Sequence, residues 1–366
     1  MESLERLLFV SMSDTAGGAE KILCMMAAEK ESPLIFVKHM YDSRLVIPGS
    51  IKVRYLTQGS MLLGFFKLLK ALYPYRKGYT IISTHSYVNS YLGMLRRIGY
   101  LKSDLIVREC TSVFSRYTGL KKMSYRIAYN LGYPGTSLIV CQTDLMCKQL
   151  LEQNAFISKT KVLVKENPID LNDILEKSEE PIIESISGSD FICSAGRLIS
   201  EKGFPVLIQA FSNISKRYPN LKLLILGEGV ERNNLNKLIK EIGLEQKIVL
   251  LGHVNNPIPY FKRAKICVVS SIKEGFPNVL LEMMAVSRSP VISTLCAGGI
   301  EDIPSIIKVK VNDVSELASA IDAVLCSDAN NKVKTSYFSY RTPKKFMDSI
   351  LKEAKLNGMT LSERMQ

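Results

Sequence analysis

The sequence lacks the features of a membrane channel, a disulfide scaffold and a structural zinc protein. It has no run of about 18 consecutive apolar residues, which excludes a polytopic membrane protein. None of the eight cysteines forms a Cys-x-x-Cys pair, and the three histidines have no metal-ligand spacing to one another. Residues 1–10 carry two glutamates and do not resemble a secretory signal. We therefore expect buried free thiols, no metal site and a cytoplasmic location.

The charge is strongly one-sided. The 366 residues, enough for about two domains, carry 48 Lys and Arg against 35 Asp and Glu, a net charge of +13. Between Leu45 and Thr143 there are 14 basic residues and two acidic ones, a net charge of +12 in one quarter of the chain. Such a concentration favours an anionic partner, which could be a nucleic acid, a phosphorylated substrate or an anionic membrane.

Short apolar runs alternate with helical patterns along the chain. The predicted strands are Leu7–Met12, Leu34–Val37, Thr80–Ser83, Asp104–Val107, Ser137–Cys141, Phe191–Ala195, Lys222–Leu226, Ile248–Leu251, Ile266–Ser270 and Val291–Ser293. The polar, acidic stretch from Asn167 to Asp190 is the predicted linker. This alternation predicts an α/β protein with doubly wound parallel sheets, whose ligands bind beyond the carboxyl ends of the strands.

One motif at a strand end contains paired cations. Gly196 and Arg197 directly follow a predicted strand, and Lys202 precedes a predicted helix. A planar guanidinium and a mobile ammonium suit a diphosphate, and a helix N-terminus adds a positive dipole end. The alternative is a solvated loop with ordinary surface charges.

The second motif is a glutamate pair that flanks a helix start. Glu274 precedes Gly275, Phe276 and Pro277, and Glu282 follows inside the predicted helix. Proline suits the first helical turn, and the backbone N–H groups before it are free for an anion. One carboxylate can bind a sugar hydroxyl while the other binds a ribose diol. The alternative is a helix cap with a surface glutamate.

Two glycine pairs follow other predicted strands. Gly17-Gly18 opens the first helix, where it could form an anion-binding turn, and Gly227 begins a Gly-x-Gly turn in the second half. Glycine allows close backbone approach to a ligand. Either pair could equally be a tight turn without a ligand.

Taken in order, these motifs are similar to those of glycosyltransferase family 4. The series is Gly-Gly-Ala-Glu, Gly-Arg-x4-Lys-Gly, Gly-x-Gly and Glu-Gly-Phe-Pro-Asn-x3-Glu. The resemblance implies a retaining enzyme of the GT-B fold, with two Rossmann-like doubly wound parallel-sheet domains facing a central cleft. Residues 1–170 would bind the acceptor, residues 171–342 would bind the nucleotide-sugar donor, and residues 343–366 would pack back on the first domain.

The resemblance also implies roles for individual residues. Arg197 and Lys202 would bind the donor diphosphate, Glu274 would line the donor sugar, Glu282 would hold the ribose, and His85 would face the sugar. Taken by itself, without the resemblance, His85 would be interpreted as a structural histidine. The implied donor-binding set is Gly17, Gly18, Gly196, Gly227, Gly275, Phe276, Pro277, Asn278 and Glu282. Arg108-Glu109 is either a contact with the acceptor or diphosphate or an exposed charge pair.

The chain departs from the family pattern in two places. Residues 283–291 lack the usual glycine, and the segment after Gly299 is shortened, so the donor sugar cannot be inferred. No Asp-x-Asp sequence occurs, which disfavours a metal-clamped diphosphate of the other glycosyltransferase fold. We expect a metal-independent reaction without a cofactor, with cations neutralising the leaving diphosphate and same-face attack by the acceptor.

The basic quarter contains an apolar segment with cations, Ser60–Leu72. It is too short to span a bilayer but could lie on an anionic inner leaflet, which fits an acceptor carried on a polyprenyl diphosphate in O-antigen or capsule synthesis. The alternative is a core-facing helix with a solvated basic face. The predicted surface residues are Phe65, Phe66, Lys67, Lys70, Arg76 and Lys77.

Two other functions remain possible at the level of sequence. A nucleotide-sugar epimerase or phosphorylase would share the architecture, and a nucleic-acid-binding protein would use the basic quarter. The latter lacks a recognised motif, so we expect no nucleic-acid partner. A UDP-sugar is the expected donor, with GDP-mannose second.

Overall fold

The computed structural model describes residues 6–41, 43, 45–157, 160–327 and 335–358. The chain divides into two compact units. The N-terminal unit comprises the described residues up to Pro168 with those from Arg341 onward, and the C-terminal unit is Ile169–Tyr340. Residues 359–366, part of the segment predicted to return to the first domain, lie outside the described residues.

The N-terminal unit contains a seven-stranded parallel sheet, ordered β3-β2-β1-β4-β5-β6-β7. Its strands are β1 Leu7–Ser13, β2 Leu34–Lys38, β3 Val53–Thr57, β4 Thr80–Thr84, β5 Asp104–Glu109, β6 Leu138–Cys141 and β7 Val162–Val164. The inner strands are buried along nearly their whole length, as expected of a sheet covered on both faces.

Helices cover both faces of this sheet. They are α1 Gly18–Glu29, α2 Met61–Ala71, α3 Ser86–Arg97, α4 Val113–Arg116, α5 Gly119–Gly132, α6 Asp144–Gln153 and the final helix Pro343–Gly358. One apolar core lies beneath α2, α3 and α5. The other includes α1 and buries Phe346, Met347 and Ile350 of the final helix. The end of the chain therefore completes the first unit.

The C-terminal unit contains a six-stranded parallel sheet, ordered β10-β9-β8-β11-β12-β13. Its strands are β8 Phe191–Ala195, β9 Lys222–Leu226, β10 Ile248–Gly252, β11 Ile266–Val269, β12 Val291–Thr294 and β13 Ile306–Val309. Its helices are α7 Leu171–Lys177, α8 Glu184–Ser187, α9 Phe204–Ile214, α10 Arg232–Glu241, α11 Ile258–Arg263, α12 Asn278–Val286, α13 Val314–Leu325 and α14 Thr335–Ser339, after which the final helix is α15. Two parallel Rossmann-like sheets confirm the predicted fold class.

The predicted linker is wrong over most of its length. Residues 171–177 and 184–187 form α7 and α8 within the C-terminal unit. The physical reason is that Ile169, Ile174 and Ile186 are buried in the core of that unit, while the acidic side chains between them stay in solvent. Polar composition here marks the outer face of short amphipathic helices.

Strand order brings together loops that are distant in sequence. In each sheet the order reverses direction beside the first strand, between β1 and β4 and between β8 and β11. In parallel α/β sheets such reversal points open a crevice at the carboxyl ends of the strands. The loops there carry Gly17, His85, Gly196 and Glu274.

Candidate active site

The C-terminal unit joins two predicted site residues in an ion pair. Lys202 Nζ lies 2.5 Å from Glu274 Oε1, and Ser271 Oγ donates to the same oxygen at 2.9 Å. The two charged side chains are only 17% and 19% exposed. They meet because Lys202 follows β8 and Glu274 follows the adjacent strand β11. The arrangement holds an ammonium ready for an anion, with a carboxylate that keeps it in place.

The second cation, Arg197, is differently placed. Its side chain is exposed, and it makes no ion pair with any residue that the structure describes. Its backbone carbonyl accepts a hydrogen bond from Ile199, which fixes the loop. The guanidinium is therefore available to an anionic ligand without first breaking an internal bond.

The glycines of this loop are required by close packing. A Cβ on Gly227, whose φ is +143°, would lie 1.9 Å from the Gly196 carbonyl oxygen. A Cβ on Gly229 would lie 2.3 Å from the Leu198 oxygen, and the Gly196 N–H donates to Leu226. The Gly-x-Gly turn thus supports the loop that carries Arg197. Whether Gly196 or Gly227 touches a ligand stays a prediction.

Glu282, the second glutamate of the pair, lies in helix α12 and, across the described ranges, is not ion-paired as Glu274 is. Helix α12 begins at Asn278 with Pro277 as its N-cap, and the N–H groups of Gly275 and Phe276 make no backbone hydrogen bond within the described residues. Glu282 is half-buried and has no hydrogen-bond or ion-pair partner in that same part of the chain. Open N–H groups at the start of α12 and an unpaired carboxylate in its second turn fit a polyhydroxyl, anionic ligand.

The N-terminal unit has its own cluster at the reversal between β1 and β4. Gly17 is the N-cap of α1, which begins at Gly18, and His85 follows β4 with a φ of +80°. The side chain of His85 is 41% exposed, and its Nε2 lies 3.0 Å from Oε1 of the buried Glu20. The sequence analysis did not identify this pairing, although Glu20 closes the Gly-Gly-Ala-Glu motif.

The interpretation of Arg108-Glu109 as an exposed charge pair is wrong, because β5 continues two residues further than predicted and carries both into the interior. Arg108 is 2% exposed and donates from Nη2 to Asn167 at 2.8 Å. Glu109 accepts hydrogen bonds from the hydroxyls of Tyr129 and Tyr133. Burial raises the pKa of Glu109 to about 7, although these hydrogen bonds lower it.

Helix α2 contains most of the apolar basic segment and has a buried and an exposed face. Its inner face is buried, while Leu62 and Phe66 are 74% and 71% exposed. The cations Lys67, Lys70 and Lys77 are also exposed.

Two residues of the predicted surface face elsewhere. Phe65 packs against the core with its ring 4.9 Å from Tyr91. Arg76 is half-buried, with its guanidinium 4.3 Å from the centre of the Tyr73 ring. Aromatic contacts explain both positions, because packing against a ring stabilises each side chain there.

Helix α5 carries an exposed apolar stripe that the sequence analysis missed. Leu120, Met123, Ile127 and Leu131 recur at helical spacing, and each is at least half exposed. The neighbouring cations Lys121, Lys122 and Arg126 belong to the basic quarter of the chain, and the apolar residues between them lie in solvent. No helix in the described ranges is long and apolar enough to cross a bilayer.

Known proteins resemble this chain in sequence. The family model described as "Glycosyl transferases group 1" matches residues 176–341. A Campylobacter jejuni protein named N-acetylgalactosamine-N,N'-diacetylbacillosaminyl-diphospho-undecaprenol 4-alpha-N-acetylgalactosaminyltransferase is 33% identical over 67% of this chain and 68% of its own. Another from that organism, named as an alpha-1,4-N-acetyl-D-galactosaminyltransferase acting on GalNAc-alpha-(1->4)-GalNAc-alpha-(1->3)-diNAcBac-PP-undecaprenol, is 26% identical over 95% of this chain and 96% of its own.

Solved structures match in fold. Anabaena HepE in complex with UDP and glucose superposes with a TM-score of 0.76 at 16% identity, covering 95% of this chain and 98% of that one. An alpha,alpha-trehalose 6-phosphate synthase from Burkholderia multivorans gives 0.75 at 13% identity, covering 96% and 98%. Both support the two-sheet architecture.

Proposed function

Because the chain belongs to the group 1 glycosyl transferases, we propose that it transfers a sugar from a UDP-sugar to a hydroxyl of a polyprenyl-diphosphate-linked oligosaccharide in surface polysaccharide synthesis. The observation that carries the donor side of this proposal is the pair Lys202–Glu274 beside the unpaired Arg197. The Campylobacter relatives support the acceptor class by their names, and the UDP in HepE supports the nucleotide.

In the proposed donor site, Arg197 and Lys202 bind the diphosphate. As the bond between the sugar anomeric carbon and the phosphate oxygen breaks, negative charge grows on that oxygen, and the two cations stabilise it. Glu274 keeps the Lys202 ammonium in place and accepts a hydrogen bond from the sugar. Gly275 and Phe276 offer N–H groups, and Glu282 accepts from the ribose hydroxyls.

The acceptor hydroxyl attacks the anomeric carbon from the face that the phosphate leaves. Its oxygen forms the new glycosidic bond, and its proton passes to the departing phosphate oxygen, which balances the step and retains the anomeric configuration. The cations replace a metal ion in this scheme, so we propose a metal-independent reaction. The N-terminal unit binds the acceptor.

Donor binding tests the proposal directly. We expect UDP-sugars to raise the melting temperature of the protein by mass action. Glu282→Ala should weaken UDP-sugar affinity about tenfold, because it removes a charged acceptor of ribose hydrogen bonds. The measurement is thermal shift and calorimetric titration over a panel of UDP- and GDP-sugars, including UDP-N-acetylgalactosamine.

Glu245→Ala is the matched control, since Glu245 is an exposed glutamate of the same unit. It should bind as the wild type does. No stabilisation by any nucleotide sugar, or equal affinity in Glu282→Ala, contradicts the donor site. Conversion of the donor without transfer to an acceptor would favour the epimerase or phosphorylase.

We also propose that α2 and α5 rest on the inner face of the cell membrane. Both helices expose apolar side chains beside cations, as interfacial helices do. Each cation near an anionic leaflet contributes about 1 kcal/mol. Contact with the membrane would bring the protein to an acceptor whose lipid cannot leave the bilayer.

Vesicle sedimentation measures this contact. The protein should sediment at low salt with phosphatidylglycerol vesicles and stay in solution with phosphatidylcholine alone. Phe66→Glu should lower binding about tenfold by removing an apolar contact and adding a repelled charge. Val230→Glu, an apolar-to-acid change at a position of the C-terminal unit that is even more exposed, is the control. Equal sedimentation of the two variants, or none by the wild type, removes the proposal.

A further inference from the structure

Glu20, the last residue of the Gly-Gly-Ala-Glu motif, has no task in the proposed function. We infer that Glu20 is a positioning residue, which fixes the orientation and the tautomer of the His85 ring for an interaction with a sugar hydroxyl. The inference rests on the proposed function, which supplies a sugar substrate, and on the family resemblance, which implies that His85 faces a sugar. The contact between Glu20 and the His85 ring is independent of that assignment.

The geometry comes from strand order. Glu20 lies in the first turn of α1, which follows β1, and His85 lies at the end of the neighbouring strand β4. Glu20 Oε1 is 3.0 Å from His85 Nε2, although 65 positions separate the two residues. The glutamate side chain is 3% exposed, so its rotamer is held by its surroundings.

The pocket for this carboxylate explains a glycine. A Cβ on Gly17 would lie 2.4 Å from Glu20 Oε2, so a side chain there would displace the carboxylate. Gly17 has an extended backbone with a φ of −87°, which any residue adopts, so the reason for glycine is space. The motif thus supplies both the carboxylate, from Glu20, and the space that this carboxylate occupies, at Gly17.

Two neighbouring groups interact electrostatically with Glu20. The buried guanidinium of Arg108 and the carboxylate of Glu20 attract each other, which opposes the lowering of the Arg108 pKa by burial. Burial and the negative charge of Glu20 raise the pKa of the Cys24 thiol to about 12. Glu20 is the acidic partner within hydrogen-bond distance of the ring.

An ionised carboxylate only accepts hydrogen bonds, so Nε2 of His85 carries the hydrogen. In the neutral ring Nδ1 then keeps its lone pair, and Nδ1 has no hydrogen-bond partner in the part of the chain that the structure describes. A free imidazole lone pair on a partly exposed side chain suits a hydroxyl donor, and a sugar presents several. Glu20 would act on the reaction only through this ring.

The same unit offers a natural comparison. His39 pairs with the buried Asp14, but through Nδ1, at 2.5 Å. That ring packs against Tyr55, with centroids 4.5 Å apart. Two carboxylate–imidazole pairs in one unit thus fix opposite nitrogens, and His39 serves as the control histidine.

Nitrogen-15 NMR of histidine-labelled full-length protein tests the hold on the ring. The chain has three histidines, and His85→Ala assigns the relevant signals. We expect the wild-type ring in the Nε2–H tautomer. Glu20→Gln should populate the Nδ1–H form as well, because an amide both donates and accepts, while His39 signals stay unchanged. An unchanged His85 tautomer in Glu20→Gln overturns the inference.

Kinetics test the consequence, with UDP-N-acetylgalactosamine or whichever UDP-sugar the panel identifies as the probe. Glu20→Gln should lower kcat about tenfold and leave KM for the donor within about twofold. His85→Ala should lower kcat at least as far, and the double variant should equal His85→Ala. His39→Ala should match the wild type.

The outcomes separate the inference from the proposed function. Two outcomes overturn the positioning role. One is a loss of kcat in the double variant equal to the product of the two single losses. The other is full activity of Glu20→Gln together with an altered His85 tautomer. Rescue of activity by Glu20→Asp but not by Glu20→Ala would support it, since the shorter side chain keeps the charge. If the wild type turns over no nucleotide sugar, the proposed function fails, while the NMR result still decides whether Glu20 sets the ring.

Discussion

Replacing Lys202 with alanine is expected to lower sugar transfer by about a thousandfold, the size of effect that removal of one preorganised donor to a developing anion has elsewhere. The side chain is largely enclosed and ion-paired, so no solvent cation occupies its place readily. Its loss leaves Arg197 to stabilise the departing diphosphate alone. The measurement is initial-rate kinetics on purified protein whose melting temperature is unchanged.

Lys265→Ala is the matched control for this variant. Lys265 also pairs with a carboxylate, Asp190, at 3.4 Å, but it lies just before β11, at the opposite end of the strand from Glu274. We expect its kcat within about twofold of the wild type. A folded Lys202→Ala protein that keeps most of its rate, or equal losses in both variants, would remove Lys202 from the mechanism.

The second large effect concerns stability. Helices α3 and α5 pack backbone to backbone, and a Cβ on Gly132 would lie 2.0 Å from the Ser90 oxygen and 2.3 Å from its Cα. Gly132→Ala must therefore separate the two helices. We expect the free energy of unfolding of the N-terminal unit to fall by about 3–5 kcal/mol.

Gly49→Ala is the control, because a Cβ there would have no atom within 4 Å. Urea denaturation followed by far-UV circular dichroism measures both variants, since the chain has no tryptophan to report by fluorescence. A change below about 1 kcal/mol in Gly132→Ala would mean that the helices separate at little cost. The C-terminal transition should be unaffected in either protein.

Sequence periodicity predicted the strands that form the centre of each sheet. All ten predicted strands are present, with ends that agree to within two residues. The three that were missed, β3, β7 and β13, lie at sheet edges and are partly exposed. Half-exposed edge strands lack the continuous apolar run that identifies a strand buried on both faces.

The motifs predicted which loops carry chemistry, but they could not predict which side chains meet. The pairs Lys202–Glu274 and Glu20–His85 span 72 and 65 positions and depend on strand order. Composition cannot supply that order, because any permutation of the same strands has the same local pattern. Burial of Glu109 was missed for a related reason, since an apolar run does not reveal that its strand continues through two charged residues.

The return of the chain to its first unit affects how the protein is made. Phe346, Met347 and Ile350 fill an apolar core of the N-terminal sheet, yet the ribosome adds them only after the whole C-terminal unit. While the C-terminal unit is being translated, the part of the nascent N-terminal sheet that α15 covers stays exposed. Exposed apolar surface of this kind is what holdase chaperones bind during synthesis.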